Sequence, residues 1–149
     1  NMTDIMAAIG LVELSRYESE TLPKRKQICR AYSEKLSKFS WAITPSLHQV
    51  DTESSYHLYP LRIAGVNEAQ RDEIIRRISD KDVSVNVHFI PVPMMSYYRG
   101  LGYNMLDYPI AYQLYAAEIS LPVFYALDDN QLQVVVDSVV TAVHDVLNQ

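Results

Sequence analysis

Glycine is scarce in this chain, with four residues in 149. Gly10, Gly65, Gly100 and Gly102 are too few and too scattered to build a Gly-rich phosphate cradle. Cysteine is scarcer still. Cys29 stands alone, which excludes an internal disulfide and a cysteine-based zinc site and leads us to expect a reducing, cytoplasmic setting. An excess of positive charge is also lacking: 13 Lys and Arg face 18 Asp and Glu, for a net charge of -5, so non-specific nucleic-acid binding is not expected. No apolar run approaches the roughly 20 residues of a membrane span. The N-terminus shows no basic stretch followed by an apolar core of the secretory type. HExxH, GxSxG, Walker and Rossmann patterns are absent as well, and no metal site is expected.

What remains is ordinary in bulk. Apolar residues make up 48% and charged residues 21%, the balance of one soluble globular domain. A chain of this length buries about two-thirds of its unfolded surface.

The interest lies in the pattern. Thr3 is placed to cap a helix whose first turn carries Asp4, and Ile5 to Val12 follow without a charge. A helix apolar on every side must be enclosed by protein all round. Either it is the central helix of this domain, or it meets another domain or subunit. Thr21 is read as a second N-cap, with Pro23 in the first turn of an amphipathic helix whose stripe is Ile28, Tyr32, Leu36 and Phe39. Lys24, Arg25, Lys26 and Arg30 read as its solvated faces. Residues 41–53 form a connection. Tyr56 to Ile63 alternates as a strand, with His57, Tyr59, Leu61 and Ile63 on one face, and Pro60 demands an edge position or a bulge. Asn67 caps a helix to about Ser79, with Ile74, Ile75 and Ile78 inward and the arginines outward. Val83, Val85, Val87 and Phe89 then form the core face of a second strand, and Ser84, Asn86 and His88 its polar face. Pro109 opens a helix to about Glu118, and residues 119–123 form a short strand. Asp128 and Gln131 mark a capping box for a last helix with Leu132, Val135, Val136, Val139, Val143 and Val146 as its apolar stripe. This order predicts an α+β domain in which helices cover a small, mainly antiparallel sheet.

Four histidines are the leading candidates for chemistry. His48 sits in a connection, His57 at a strand start, and His144 near a helix C-terminus, where the helix dipole accounts for it. His88 stands apart, at a strand end beside Pro91 and Pro93, where functional groups are often displayed. A hydrogen-bonded structural role is the competing reading for a lone histidine. Residue chemistry alone takes the argument no further than that.

Three segments carry it on. Asn1-Met2-Thr3-Asp4-Ile5-Met6-Ala7-Ala8-Ile9-Gly10-Leu11 resembles the N/R-M-T-D-I-Q-A-A-I-G-L signature of the DegT/DnrJ/EryC1/StrS aminotransferases. Val87-His88-Phe89-Ile90-Pro91 with Tyr97-Tyr98-Arg99 resembles that family's H-Y-I-P…P-Y-Y-R segment. Ala117-Glu118-Ile119-Ser120-Leu121-Pro122-Val123 resembles its A-E…S-L-P-L stretch. All three occur in family order, and together they reach across the chain.

The resemblance implies the small C-terminal domain of a fold-type I transferase that uses pyridoxal phosphate. It implies one domain over 1–149, a fragment of a larger enzyme, in which 1–40 is a helical segment leading from a large domain and 41–149 is the α+β body. The parent would be a homodimer moving an amino group from an amino acid, glutamate in the first instance, to a keto-sugar carried on a nucleotide. The Schiff-base lysine of the family lies upstream of the M-T-D-I segment, and none of Lys24, Lys26, Lys35, Lys38 and Lys81 matches it. No catalytic residue is therefore assigned here, and the fragment alone is expected to be inactive and to bind no pyridoxal phosphate. The resemblance gives His88 a substrate-cleft role, extends it to Tyr97 and Tyr98, and places Asn1 next to a position that reaches the partner's cofactor phosphate. The chain departs from the family at Met6, Pro93, Met95 and Ser96, where glutamine, histidine, glutamine and proline are usual. Two other readings stand beside this one: a binding or assembly module without catalysis, and a free-standing enzyme with His88 as general base.

Overall fold

The structure, a computed structural model, describes residues 2–148. Its first third is one long helical path. Helix α1 spans Asp4–Arg16, with the Thr3 hydroxyl accepting from the Met6 backbone N–H as expected of an N-cap. A π-helical turn, Tyr17–Thr21, leads without a break into α2, Leu22–Leu36. Thr21 is therefore not a cap: its backbone stays helical, and its side chain makes no capping bond. The physical reason is Pro23, which lacks an N–H and would crowd the preceding turn of a regular α-helix. The Leu22 N–H reaches back to the Tyr17 carbonyl, a π-type bond that widens the helix just before the proline.

The sheet is small. Strands β1 (Ala42–Ile43), β4 (Tyr59–Ile63) and β5 (Glu118–Leu121) lie in the order β1-β4-β5, all antiparallel, while β2 (His48–Gln49) and β3 (Thr52–Glu53) form a separate hairpin. The first of these strands and the hairpin fall in the stretch read as a connection, since two-residue strands leave no periodicity to detect. Pro60 pairs with Ser120 on one side, and β1 reaches only Arg62 and Ile63 on the other. The proline thus occupies the part of β4 that behaves as an edge, where a missing donor is tolerated.

Alternation holds in β4 but not ahead of it. Tyr59, Leu61 and Ile63 are buried, whereas His57 is exposed and Tyr56 buried. Tyr56 has a positive φ of 54°, which rotates the chain out of register with the strand. Its hydroxyl donates to Glu53 at 3.0 Å, and Lys26 lies over its ring.

Helix α3 (Glu68–Ser79) carries the Asn67–Gln70 capping box, and α6 (Asp129–Leu147) carries that of Asp128 and Gln131. Between them lie the short α4 (Ser96–Gly100) and α5 (Pro109–Ala116), each near a 3₁₀ turn. Helices α2, α3 and α6 close over one face of the sheet. The core joins Ile28, Tyr32 and Leu36 of α2 with Leu61, Ile63, Ile119, Ile74 and Ile78, and with the whole predicted stripe of α6. Each such side chain contributes about 1.5–3 kcal/mol on burial. This is the predicted α+β arrangement.

Two expectations failed in instructive ways. Residues 83–89 form no strand; one bridge, Asn86 to Ser120, is their only backbone pairing with β5. Val83 is buried, but Phe89 at the predicted core face is 74% exposed, and the His88–Phe89 peptide bond is cis. In α3 the arginines do not all point outward. Arg76 and Arg77 do, but Arg71 is 1% exposed, with Nη1 donating to the carbonyls of Tyr115 and Glu118 and with Tyr115 stacked on its guanidinium at 4.7 Å. The Tyr115 carbonyl also accepts from the Ala117 N–H at the end of α5, and a cation reaching in from α3 meets both it and the Glu118 carbonyl.

Helix α1 is the counterpart. Ile5, Met6, Ile9, Leu11, Val12 and Leu14 are all more than half exposed, and no residue of the helix is buried. It is not the central helix of this domain.

Candidate functional site

The site grows out of β5. Glu118 and Ser120 are two residues apart on a strand, so their side chains share a face. The bridge between Asn86 and Ser120 sets Asn86 and His88 opposite that face, because in an antiparallel pair His88 then falls across from Glu118. The result is a closed network. His88 Nδ1 lies 2.9 Å from Ser120 Oγ, the Ser120 hydroxyl donates to Glu118 Oε1, and Glu118 Oε2 accepts from the His88 backbone N–H at 3.0 Å. Glu118 and Ser120 are 6% and 4% exposed, while the imidazole is half-buried. A carboxylate taken out of water needs donors on both oxygens, and this one has them.

His88 forms part of the walls of two open clefts. One, of about 590 Å³, is lined also by Arg62, Phe89, Tyr115, Glu118 and the prolines Pro45, Pro60 and Pro91. The other, of about 320 Å³, brings in Arg25, His57, Asn86 and Ser120. Arg62 faces Glu118 in register across β4 and β5. The Tyr115 hydroxyl is pushed above its ordinary acidity range by burial and then by its 2.9 Å bond to Glu68, so it stays a protonated donor. Tyr112 donates to the other oxygen of Glu68, and that bond raises it too.

Ser120 sits between the histidine and the acid and gives its proton to the acid, the reverse of a nucleophile triad, where serine gives its proton to the histidine. Among the described residues, no group of three His, Cys, Asp or Glu side chains is arranged to hold a metal, and no helix is long and apolar enough to cross a membrane.

Of the residues singled out from sequence, His88 lies in this network. Tyr97 and Tyr98 are on α4, with their rings edge to face at 5.4 Å, outside the walls of both clefts; Tyr97 is 71% exposed. Asn1 lies outside the described residues. His48, His57 and His144 are exposed and separate from the network, although His57 lines the smaller cleft. Glu118, Ser120, Arg62 and Tyr115 were not among the predicted site residues. The available signal was the two-residue spacing of Glu118 and Ser120, which the expected extension of α5 to Glu118 obscured.

The DegT/DnrJ/EryC1/StrS aminotransferase family matches residues 1–140. The chain belongs to this family. The Bacillus subtilis spore coat polysaccharide biosynthesis protein SpsC is 34% identical over 99% of this chain. The Campylobacter jejuni UDP-4-amino-4,6-dideoxy-N-acetyl-beta-L-altrosamine transaminase is 26% identical over 81% of it. Among solved structures, the Streptococcus pneumoniae protein Spr1654, described as a sugar aminotransferase and determined in its PLP form, superposes with a TM-score of 0.93 and 36% identity over 98% of this chain. The chain spans only 37% of SpsC, 31% of the Campylobacter enzyme and 37% of Spr1654.

Family members are enzymes of pyridoxal phosphate, and the residues described here do not fit that cofactor by themselves. Its carbonyl must be held by a lysine amine. None of the five lysines lines either cleft at His88; Lys26 is paired with Glu53, and Lys35 donates to Gln133. What this family member's chain presents at His88 is hydrogen-bonding groups and apolar surface lining two clefts.

Proposed function

We propose that this chain is the C-terminal domain of a longer aminotransferase that moves an amino group from an amino acid, glutamate in the first instance, to a nucleotide-linked keto-sugar. Its own part is to form one wall of the substrate cleft. The observation that carries the proposal is the family match over residues 1–140, combined with coverage of little more than a third of the relatives. Two further observations support it. The Campylobacter relative is named for a UDP-linked amino sugar, a molecule that offers hydroxyl and amide groups to a hydrogen-bonding wall. And α1 exposes its apolar side chains all round, as a helix does when its partner is another domain or a second subunit. The longer protein accordingly works as a homodimer with pyridoxal phosphate held by a large domain, in the cytoplasm, where Cys29 stays reduced.

Within that enzyme His88, flanked by Arg62, Glu118 and Tyr115, contacts the sugar. Tyr97 and Tyr98 form an outer rim, and Asn1 lies next to the partner's cofactor. The Schiff-base lysine belongs to the large domain. Because two relatives are named for UDP- and dTDP-linked 4-amino-4,6-dideoxy sugars, and a third, from Escherichia coli O157:H7, is named GDP-perosamine synthase, the matching acceptors are UDP-, dTDP- and GDP-linked 4-keto-6-deoxyhexoses. The test is His88→Ala in the longer enzyme, assayed on these three. Sugar turnover should fall while the melting temperature changes little. Unchanged kinetics with a lowered melting temperature would make His88 a structural residue, and turnover of none of the three by the wild type would remove the substrate class.

A further inference from the structure

The His88 network specifies more than a position. Ser120 Oγ carries a single proton and touches two groups, Glu118 Oε1 and His88 Nδ1. Glu118 as a carboxylate can only accept, and its second oxygen is already occupied by the His88 backbone N–H. The Ser120 proton therefore points to Glu118, and Oγ turns a lone pair toward the imidazole. Nδ1 must then be the protonated nitrogen. A neutral imidazole has one N–H, so Nε2 keeps its lone pair. Among the described residues, no protein group bonds to Nε2, and the side chain that carries it lines both clefts.

We propose that Glu118 and Ser120 are positioning residues that hold His88 in its Nδ1–H tautomer, so that Nε2 meets the substrate as a hydrogen-bond acceptor for a sugar hydroxyl. This rests on the cleft assignment above. The device is buried: with Ser120 and Glu118 almost inaccessible, water has little room to compete for either bond. It is also anchored at both ends. The Asn86–Ser120 bridge fixes the register from the β5 side, and Arg71, through its bond to the Glu118 carbonyl, holds the strand's first residue from the α3 side. The arrangement gives a physical reason for a Glu and a Ser at alternate positions of β5. Neither residue needs to touch the substrate.

The decisive measurement is NMR of the full-length enzyme with ¹⁵N-labelled histidine, the His88 signals being assigned by their loss in His88→Gln. In the wild type, Nδ1 should resonate as a protonated nitrogen and Nε2 as an unprotonated one. Ser120→Ala should collapse both toward the average of two exchanging tautomers, and Ser120→Thr, which keeps the hydroxyl, should restore the split. In the sugar transamination assay, Ser120→Ala should raise KM for the keto-sugar about three- to fivefold, the inverse of the fraction of rings that still present an unprotonated Nε2, with kcat within about threefold. Ser120→Thr should return KM to within about twofold of wild type. A wild-type ring protonated at Nε2, the pattern given by a protonated Glu118 with Ser120 donating to Nδ1, overturns the proposal whatever the kinetics. A tautomer fixed as expected, with KM unmoved in Ser120→Ala, overturns the acceptor role. If His88→Ala is also without effect, the cleft assignment falls with it.

Discussion

Replacing Arg71 by methionine tests whether a buried cation organises the strand that carries the site. The guanidinium, 1% exposed, gives Nη1 to the Tyr115 and Glu118 carbonyls at 2.8 and 3.2 Å. Methionine fills similar space but donates nothing. Hydrogen bonds to charged groups are worth about 1.5–3 kcal/mol each, and the substitution strands the buried Glu118 carbonyl while the Tyr115 carbonyl keeps only the Ala117 N–H. The stacking on Tyr115 adds about 0.5–2 kcal/mol. Against this stands the cost of burying a charge, which its removal recovers in part. The Asp72 contact counts for little, since that carboxylate is 61% exposed. The net expectation is a loss of about 2–4 kcal/mol, read by urea denaturation as a lower midpoint with unchanged slope. Arg71→Lys should recover less than half, because one ammonium cannot reproduce the planar fork. Arg76→Met, on the exposed side of the same helix, should move the midpoint far less. A loss below about 1 kcal/mol for Arg71→Met, or equal losses at the two arginines, would refute the reasoning.

Asp128→Ala, which removes the acceptor of the Gln131 N–H at the start of α6, should cost about 1 kcal/mol in the same assay. Hydrogen bonds from Arg76 and then Arg77 hold the Glu73 carboxyl down to about 2 from an ordinary value of 4.5, so its contribution is present above the ordinary value and is lost as pH falls toward about 2. Glu73→Gln should flatten the acid limb of the stability profile across that window, and added salt should shrink the difference between the two proteins. Burial pushes the Cys29 thiol up to about 11, so it should resist a thiol reagent at pH 8 until denaturant is added; rapid native labelling would contradict its place in the core. Glu at both Ile5 and Val12 should change the melting temperature of the 149-residue chain little, since both side chains are exposed there, but should destabilise the longer enzyme, in which α1 is proposed to be covered.

Legibility followed the physics of each element. The α6 stripe, the Asp128–Gln131 capping box and the Asn67 cap were readable because a 19-residue helix repeats its period several times and a cap is a local hydrogen bond. The strand at residues 83–89 misled for the opposite reason. Its alternation of valines with polar residues is real in the sequence, yet a strand exists only where a neighbour pairs with it, and only Asn86 finds one. The Thr21 cap failed because a capping residue and Pro23 fit either a helix start or a π turn, and local chemistry does not distinguish them. Tyr56 escaped notice because nothing in a tyrosine announces a positive φ. At the site, His88 was visible from its setting beside the prolines. Its partners were not, because Glu118 and Ser120 are about 30 residues away and meet it only through the pairing of Asn86 with Ser120.

The amino-acid sequence by itself determined the fold class and the family and singled out His88 as a candidate, since these rest on periodicity, local caps and motifs carried in continuous segments. It also contained the uncharged apolar run of α1, which fitted either a central helix of this domain or one that meets another domain or subunit. Only the tertiary structure decided that Arg71 turns inward, that no residue of α1 is buried, and that Ser120 stands between His88 and Glu118. Those outcomes depend on distant parts of the chain competing for the same buried carbonyls, surface and protons, and that competition is resolved only when the elements pack.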